Sequence, residues 1–211
     1  MTLRILRHTG WAALVAAAAC ATAVACSNNP PAPPDVFMNA QVGTGPSSPS
    51  QVCNFGTQQQ WLQIGSPTGD KPTTVADGNS QSGGASVHVT CTVGTGGSGF
   101  NISLNAVEDG LSGGSVTVTG TVDTTTGGTG LTGVFQSQTN GRYADNNCTL
   151  TYMYNGNPVP VSPPVAAGRI WGHVSCPNAK VSGQPVTLPD GGIVDRQCDG
   201  EADFLFEQCS N

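Results

Sequence analysis

The chain has 211 residues, room for one or two domains, and only 9% of them are charged. Soluble domains average roughly 25%, so long solvated helices and coiled coils are excluded, and a formal net charge of −6 argues against nucleic-acid binding. The 29 glycines and 15 prolines, with abundant valine and threonine, favour short strands joined by turns.

Residues 1–25 read as an export signal. Arg4 and Arg7 give a positive start, and an apolar run over 11–25 follows. That run is short for a membrane-spanning helix. It ends in Ala23-Val24-Ala25-Cys26, small residues directly before a cysteine. This resembles the lipobox of bacterial lipoproteins. The resemblance implies cleavage before Cys26, a diacylglyceryl group on its thiol, and fatty acyl chains such as palmitate that anchor the protein without spanning the bilayer. It also implies an envelope location, periplasmic or surface-exposed. By the same analogy, Ser27 in place of aspartate favours the outer membrane of a diderm host. Cys20, after Ala17-Ala18-Ala19, is a second candidate, and Ala23-Val24-Ala25 also fits the Ala-x-Ala site of an ordinary secretory signal. Loss of both signal arginines leaves five basic against 13 acidic side chains, a net charge of −8.

Residues 26–50 hold Pro30, Pro31, Pro33, Pro34, Pro46 and Pro49 and read as an extended tether. The alternative is an edge strand over 36–42. Residues 51–211 form the folded domain. Eight strands are expected, at 60–64, 86–93, 99–107, 115–122, 131–137, 148–154, 168–176 and 202–209. Val87, Val89 and Cys91 alternate with His88, Thr90 and Thr92, and Ile102, Leu104 and Ala106 with Asn101, Ser103 and Asn105. Val116, Val118 and Val122 alternate with Thr117, Thr119 and Thr121. One apolar and one hydroxyl-rich face is the pattern of an antiparallel sheet packed on one side. Asn140-Gly141, Asn155-Gly156, Asp190-Gly191 and Asp199-Gly200 mark turns, and 123–130 reads as a long exposed loop. The expected fold is all-β, an antiparallel β-sandwich of about eight strands stapled by disulfides.

The staples are Cys53, Cys91, Cys148, Cys176, Cys198 and Cys209, an even number in an exported chain. Antiparallel pairing of the first two strands places Cys53 near Cys91. The remaining four then pair either as Cys148–Cys176 with Cys198–Cys209, or as Cys176–Cys198 with Cys148–Cys209. The second arrangement is slightly favoured.

Chemistry-bearing motifs are sparse. Gly110-Leu111-Ser112-Gly113-Gly114 matches the G-x-S-x-G pattern of serine hydrolases but lies between two expected strands, with no helix after it. His88 and His173 lie within strands, with no carboxylate beside them in sequence, and read as exposed strand histidines. Asp199, Glu201 and Asp203 have period-two spacing and would share a face, a weak calcium candidate that more simply reads as a solvated acidic strand. Tyr152, Tyr154 and Trp171 could form an aromatic platform for a glycan or small ligand, or fill the core. No cofactor is implied. The leading functional expectation is a non-enzymatic interaction or structural module on the cell envelope, held to the membrane by lipid and meeting an envelope protein or glycan. A carbohydrate or small-ligand binder is the first alternative and a hydrolase the second.

Overall fold

The structure is a computed structural model that describes residues 30–81, 83–110 and 113–211. Residues Ala32–Asn211 form one compact unit, and its described residues contain strands and turns without a helix. In chain order the strands are β1 (Asp35–Gly43), β2 (Gln59–Ile64), β3 (Val75–Ala76), β4 (Ser86–Gly96), β5 (Gly99–Asp109), β6 (Gly114–Val122) and β7 (Gly128–Ser137). There follow β8 (Gly141–Thr151), β9 (Met153–Tyr154), β10 (Asn157–Pro158), β11 (Val165–Ala166), β12 (Arg169–Thr187) and β13 (Ile193–Glu207).

Eleven strands form one antiparallel sheet in the order β2-β1-β13-β12-β8-β7-β6-β5-β4, with β3 beside β1 and β11 beside β12. β9 and β10 form a separate hairpin. The all-β, antiparallel, disulfide-stapled architecture is as expected, but the sheet curls until its ends nearly meet, so the fold is closer to a barrel than to two open layers. The alternation in β4, β5 and β6 holds: Val87, Val89, Val93, Ile102, Leu104, Ala106, Val116 and Val118 are buried. Their neighbours face outward as a field of threonine, serine and asparagine.

Closure is made by backbone. Along the outer edge of β4, Gly78 N–H donates to Val87 C=O (2.9 Å) and Val87 N–H to Asn79 C=O (2.9 Å). Val89 N–H donates to the Asp77 carboxylate (2.8 Å). Further along, Val93 N–H donates to Ser210 C=O (2.8 Å), Ser210 N–H to Cys91 C=O (3.1 Å) and Gly168 N–H to Val93 C=O (3.0 Å). The C-terminal tail thus seals an edge that would otherwise invite another chain.

The tether reading is corrected over most of its length. All nine residues of β1 pair with β13, from Asp35 opposite Glu207 to Gly43 opposite Asp199. β2 lies on the other flank of β1, so 35–43 is an internal strand rather than a spacer or an edge. Buried Val36, Phe37 and Met38 in succession explain why no clean alternation announces it. Residues 26–29 lie outside the described residues; Pro30, Pro31 and Pro33 are exposed. The loop expected at 123–130 is also shorter: Asp123 bridges to Gly127, and β7 begins at Gly128.

The disulfides are Cys53–Cys198, Cys91–Cys209 and Cys148–Cys176. Only Cys148–Cys176, from the less favoured arrangement, was anticipated. The expected Cys53–Cys91 pair fails because β2 joins β1 and not β4, which sends Cys53 to β13 and leaves Cys91 for the tail. Inside the barrel, glycine makes room for the third bridge. A Cβ on Gly133 would overlap the Sγ atoms of Cys148 and Cys176. Across from it, a Cβ on Gly200 would lie 2.7 Å from the Phe135 ring.

Two outcomes are expected. Gly133→Ala, which overpacks the Cys148–Cys176 bridge, should destabilise the domain by about 1–3 kcal/mol in urea unfolding. Replacing Cys91 and Cys209 together by serine should cost about 2–4 kcal/mol, and hydrogen exchange should quicken first at Val93, Gly168 and Ser210, the amides along the sealed edge.

Candidate functional site

The aromatic platform is not a surface. Tyr152, Tyr154 and Trp171 are 9%, 6% and 1% exposed. The strand expected over 148–154 breaks at Tyr152, between β8 and β9, which sends the two tyrosines to different cores. Tyr152 joins the barrel interior, and its hydroxyl donates to the Asp123 carbonyl. Burial foremost, then the nearby Asp123 charge, pushes its pKa up to about 12. Tyr154 lies outside the barrel wall with Phe37, Trp171 and Leu205, its ring 5.4 Å from Trp171 and 5.8 Å from Phe37. The chain over 152–166 folds back across β12 to cover this second cluster, with Trp171 N–H donating to Pro164 C=O (3.1 Å) and Arg169 to Pro163 C=O (2.7 Å). Pairing of β11 with β12 completes the cover.

Beside that cluster, the outer face carries a polar strip. Thr151, His173, Asp203, Asn39 and Gln63 lie in register across β8, β12, β13, β1 and β2. His173 Nδ1 donates to Asp203 Oδ1 at 3.0 Å. The Asp203 hydrogen bond foremost raises the His173 pKa against the opposing effect of burial, and the charges of Asp203 and Glu201 add to the rise. The second histidine is also accompanied. His88 is exposed on β4, with Nε2 3.1 Å from Asp109 Oδ2 and Nδ1 3.9 Å from Asp77 Oδ1. Both carboxylate partners arrive through strand pairing or chain reversal, which sequence proximity does not reveal.

Asp199, Glu201 and Asp203 share the outer face, as their spacing requires, but they do not converge. Asp199 accepts from Ser47 N–H (3.1 Å) and Asp203 holds His173. No group of three metal-ligating side chains gathers among the described residues, so the calcium reading has no cage. Ser112 and Cys26 lie outside the described residues. Where the chain enters the domain, Asp35 opposes Glu207 across the ladder. Burial foremost raises the Asp35 pKa, the Thr74 hydroxyl at 3.1 Å lowers it, and Glu207 adds to the rise. Lys71 answers the second carboxylate at 2.7 Å.

A different surface stands out. β12 and β13 run beyond the other strands as a two-stranded arm. Past Lys180, which pairs with Ala144, β12 has only β13 as its neighbour. The arm ends in a turn closed by Leu188 N–H to Gly192 C=O (2.7 Å). At its tip Ile193 is 72% exposed, the one large hydrophobic side chain so placed among the described residues. Leu188, Pro189 and Val194 of the arm, with Pro49 and Val52 of the adjoining loop, line an apolar cleft of about 610 Å³. Sequence reading missed the arm because Pro177, Gly183, Pro185 and Pro189 resemble loop punctuation. The signal that could have found it is Asp190-Gly191-Gly192 followed at once by two β-branched residues.

No protein-family model matches the sequence, and no curated protein or solved structure matches it. The functional argument therefore rests on the geometry of this chain.

A raised histidine pKa has a definite sign. His173 gains its partner on folding, so its contribution is full below its ordinary value of 6.5 and is lost as pH rises through the higher folded value. Asp203→Asn should move the His173 ring titration, followed by NMR, to lower pH. It should also remove the extra stability that the wild type shows at pH 5–6 relative to pH 8.

Proposed function

We propose that this protein is a lipid-anchored envelope lipoprotein that acts as a non-enzymatic interaction module and docks through its β12–β13 arm. The observation that carries the reading is the exposed Ile193 at the tip of an arm whose Leu188, Pro189 and Val194 line an apolar cleft. Solitary surface aliphatics are ordinary, but this one crowns a projecting ribbon whose neighbouring apolar residues line a cleft, and such grouping is how docking surfaces differ from scattered exposure.

The placement of the ends supports the same reading. β13 runs from Ile193 at the arm tip to Glu207 opposite Asp35, where the chain enters the domain. At roughly 3.3 Å per residue the ends of this 15-residue strand are up to about 45 Å apart. Asp35 and Glu207 thus stand at the opposite end of β13 from the arm tip. Three disulfides support an oxidising compartment outside the cytosol. Ala23-Val24-Ala25-Cys26 supports lipidation at Cys26, with palmitate-type chains, and Ser27 supports the outer membrane of a diderm host. The acidic balance argues for a protein or glycan partner rather than nucleic acid. Burial of Tyr152, Tyr154 and Trp171 removes the basis for a glycan-stacking platform.

Cys26→Ala should move the protein from the membrane fraction to the soluble fraction and abolish incorporation of labelled palmitate. Continued sedimentation with membranes would sink the lipid-anchor part of the proposal. Ile193→Asp should leave the thermal midpoint within about 2 °C of wild type, since the side chain is exposed. It should reduce crosslinking to the wild-type envelope partner about ten-fold, as expected for a hot-spot residue. An unchanged crosslinking pattern would refute docking through the arm.

A further inference from the structure

The sheet has two outer edges, and the chain treats them differently. That of β4 is covered by Gly78, Asn79, the Asp77 carboxylate, Gly168 and the tail at Ser210. That of β2 is met chiefly by one side chain. The Gln81 carboxamide accepts from Gly65 N–H (3.0 Å) and donates to Gln63 C=O (2.9 Å). These are the two contacts that the N–H and C=O of one residue in a neighbouring strand would make. The same Gln81 nitrogen also donates to Glu108 Oε1 at 2.9 Å. A single amide thus stands on the edge in the place of a strand.

Space lies beside it. Trp61, Leu62, Gln63, Gly65, Gln81 and Glu108 line a cleft of about 370 Å³. β2 ends the strand order, and among the described residues only β1 pairs with it. Since the Gln63 carbonyl faces away from β1 to accept from Gln81, its own N–H faces the same way, as antiparallel geometry requires. A register shift opposite Ala40 and Gln41 makes Trp61 the extra residue of a bulge, which buries both Trp61 and Leu62 and confines straight edge to a few residues around Gln63.

We propose that this seam is a strand-addition site for an extended peptide segment of a partner protein, which pairs with β2 at Gln63, displaces the Gln81 carboxamide and sets a lysine or arginine against Glu108. Strand addition draws affinity from main-chain hydrogen bonds, and the edge supplies both donor and acceptor. Charge complementarity selects the partner. Glu108 lines the cleft, and the chain carries 13 acidic against seven basic side chains. A second copy is a poor occupant, because β2 (Gln59–Ile64) brings no cation and self-pairing would face Glu108 with its own copy. The site is separate from the arm, so either can fail alone.

The test is to pan a phage-displayed library of linear peptides on the full-length chain and to study the enriched peptides by NMR and hydrogen exchange. Enriched peptides should contain lysine or arginine, slow exchange of the Gln63 amide at least ten-fold and shift the Gln81 side-chain NH₂ signals. Gln81→Ala should tighten binding about five-fold by removing the competitor, and Glu108→Gln should weaken it about five-fold at low salt. Ile193→Asp should leave peptide binding unchanged. The proposal is overturned if no enriched peptide protects Gln63, if bound peptides perturb the arm instead, or if the chain dimerises through β2.

Discussion

Unpaired N–H and C=O groups along the edges of a sheet are the constraint on which the rest of this structure depends. Eleven strands in one twisted sheet curl readily toward closure, but complete closure needs the first and last strands to meet in register. Here they do not. β2 and β3 both lie on the same flank of β1, and β4 is finished by short segments instead of a partner strand. The tail at Cys209–Ser210 is the most important of these segments. Its backbone joins Cys91 and Val93, and its cysteine bonds covalently to β4. Contacts between segments 118 residues apart in sequence carry a large loop-closure entropy. A disulfide reduces that cost where hydrogen bonds are few.

The same constraint separates what was legible in the sequence from what was not. Strands β4, β5 and β6 follow one another as hairpins with one face buried, so their apolar residues repeat at every second position and can be read directly. β1 has buried residues on both faces, because Phe37 enters the outer cluster while Val36 and Met38 enter the barrel. Its pattern is continuous, short and preceded by prolines, and so resembles the end of a linker. Cys148–Cys176 joins neighbouring strands and was within reach of sequence reasoning. Cys53–Cys198 and Cys91–Cys209 depend on which strand the closing segments meet, and no local pattern encodes that. The aspartate partners of His88 and His173 were hidden for a different reason: each stands on the next strand in the chain, and only the pairing register brings it beside the histidine.

The aromatic residues show how covering a second face removes a stacking surface. A tyrosine and a tryptophan on adjacent strands of an open sheet would offer a stacking surface. This chain instead folds 152–166 back over them, so Tyr154 donates to the Pro67 carbonyl at 2.8 Å and Trp171 lies beneath it. The wall formed by β1, β12 and β13 is therefore packed on both sides near Phe37 and Leu205 and hydrated on one side near His173 and Glu201. Packing on both faces stiffens this part of the wall, and the arm is the direct continuation of two of these strands.

What remains on the surface is chemically quiet. Most outward positions of β4 to β8 hold threonine, serine, asparagine or glycine, and charged residues are few. Hydroxyl and amide groups on a paired strand are satisfied by water and by one another, as in Thr117 to Asn105 (2.9 Å) and Thr121 to Asn101 (3.1 Å). Such a surface offers little apolar area and no strong field of either sign to a passing macromolecule. The proposed recognition therefore rests on the places where this uniformity is broken. The arm breaks it with exposed aliphatic surface, and the seam beside β2 breaks it with main-chain groups held by a single displaceable amide. A partner at the proposed arm surface would be selected by shape and hydrophobicity. A partner at the proposed seam would be selected by extended backbone and positive charge. The two surfaces therefore answer to different chemistry within one rigid, cross-linked domain.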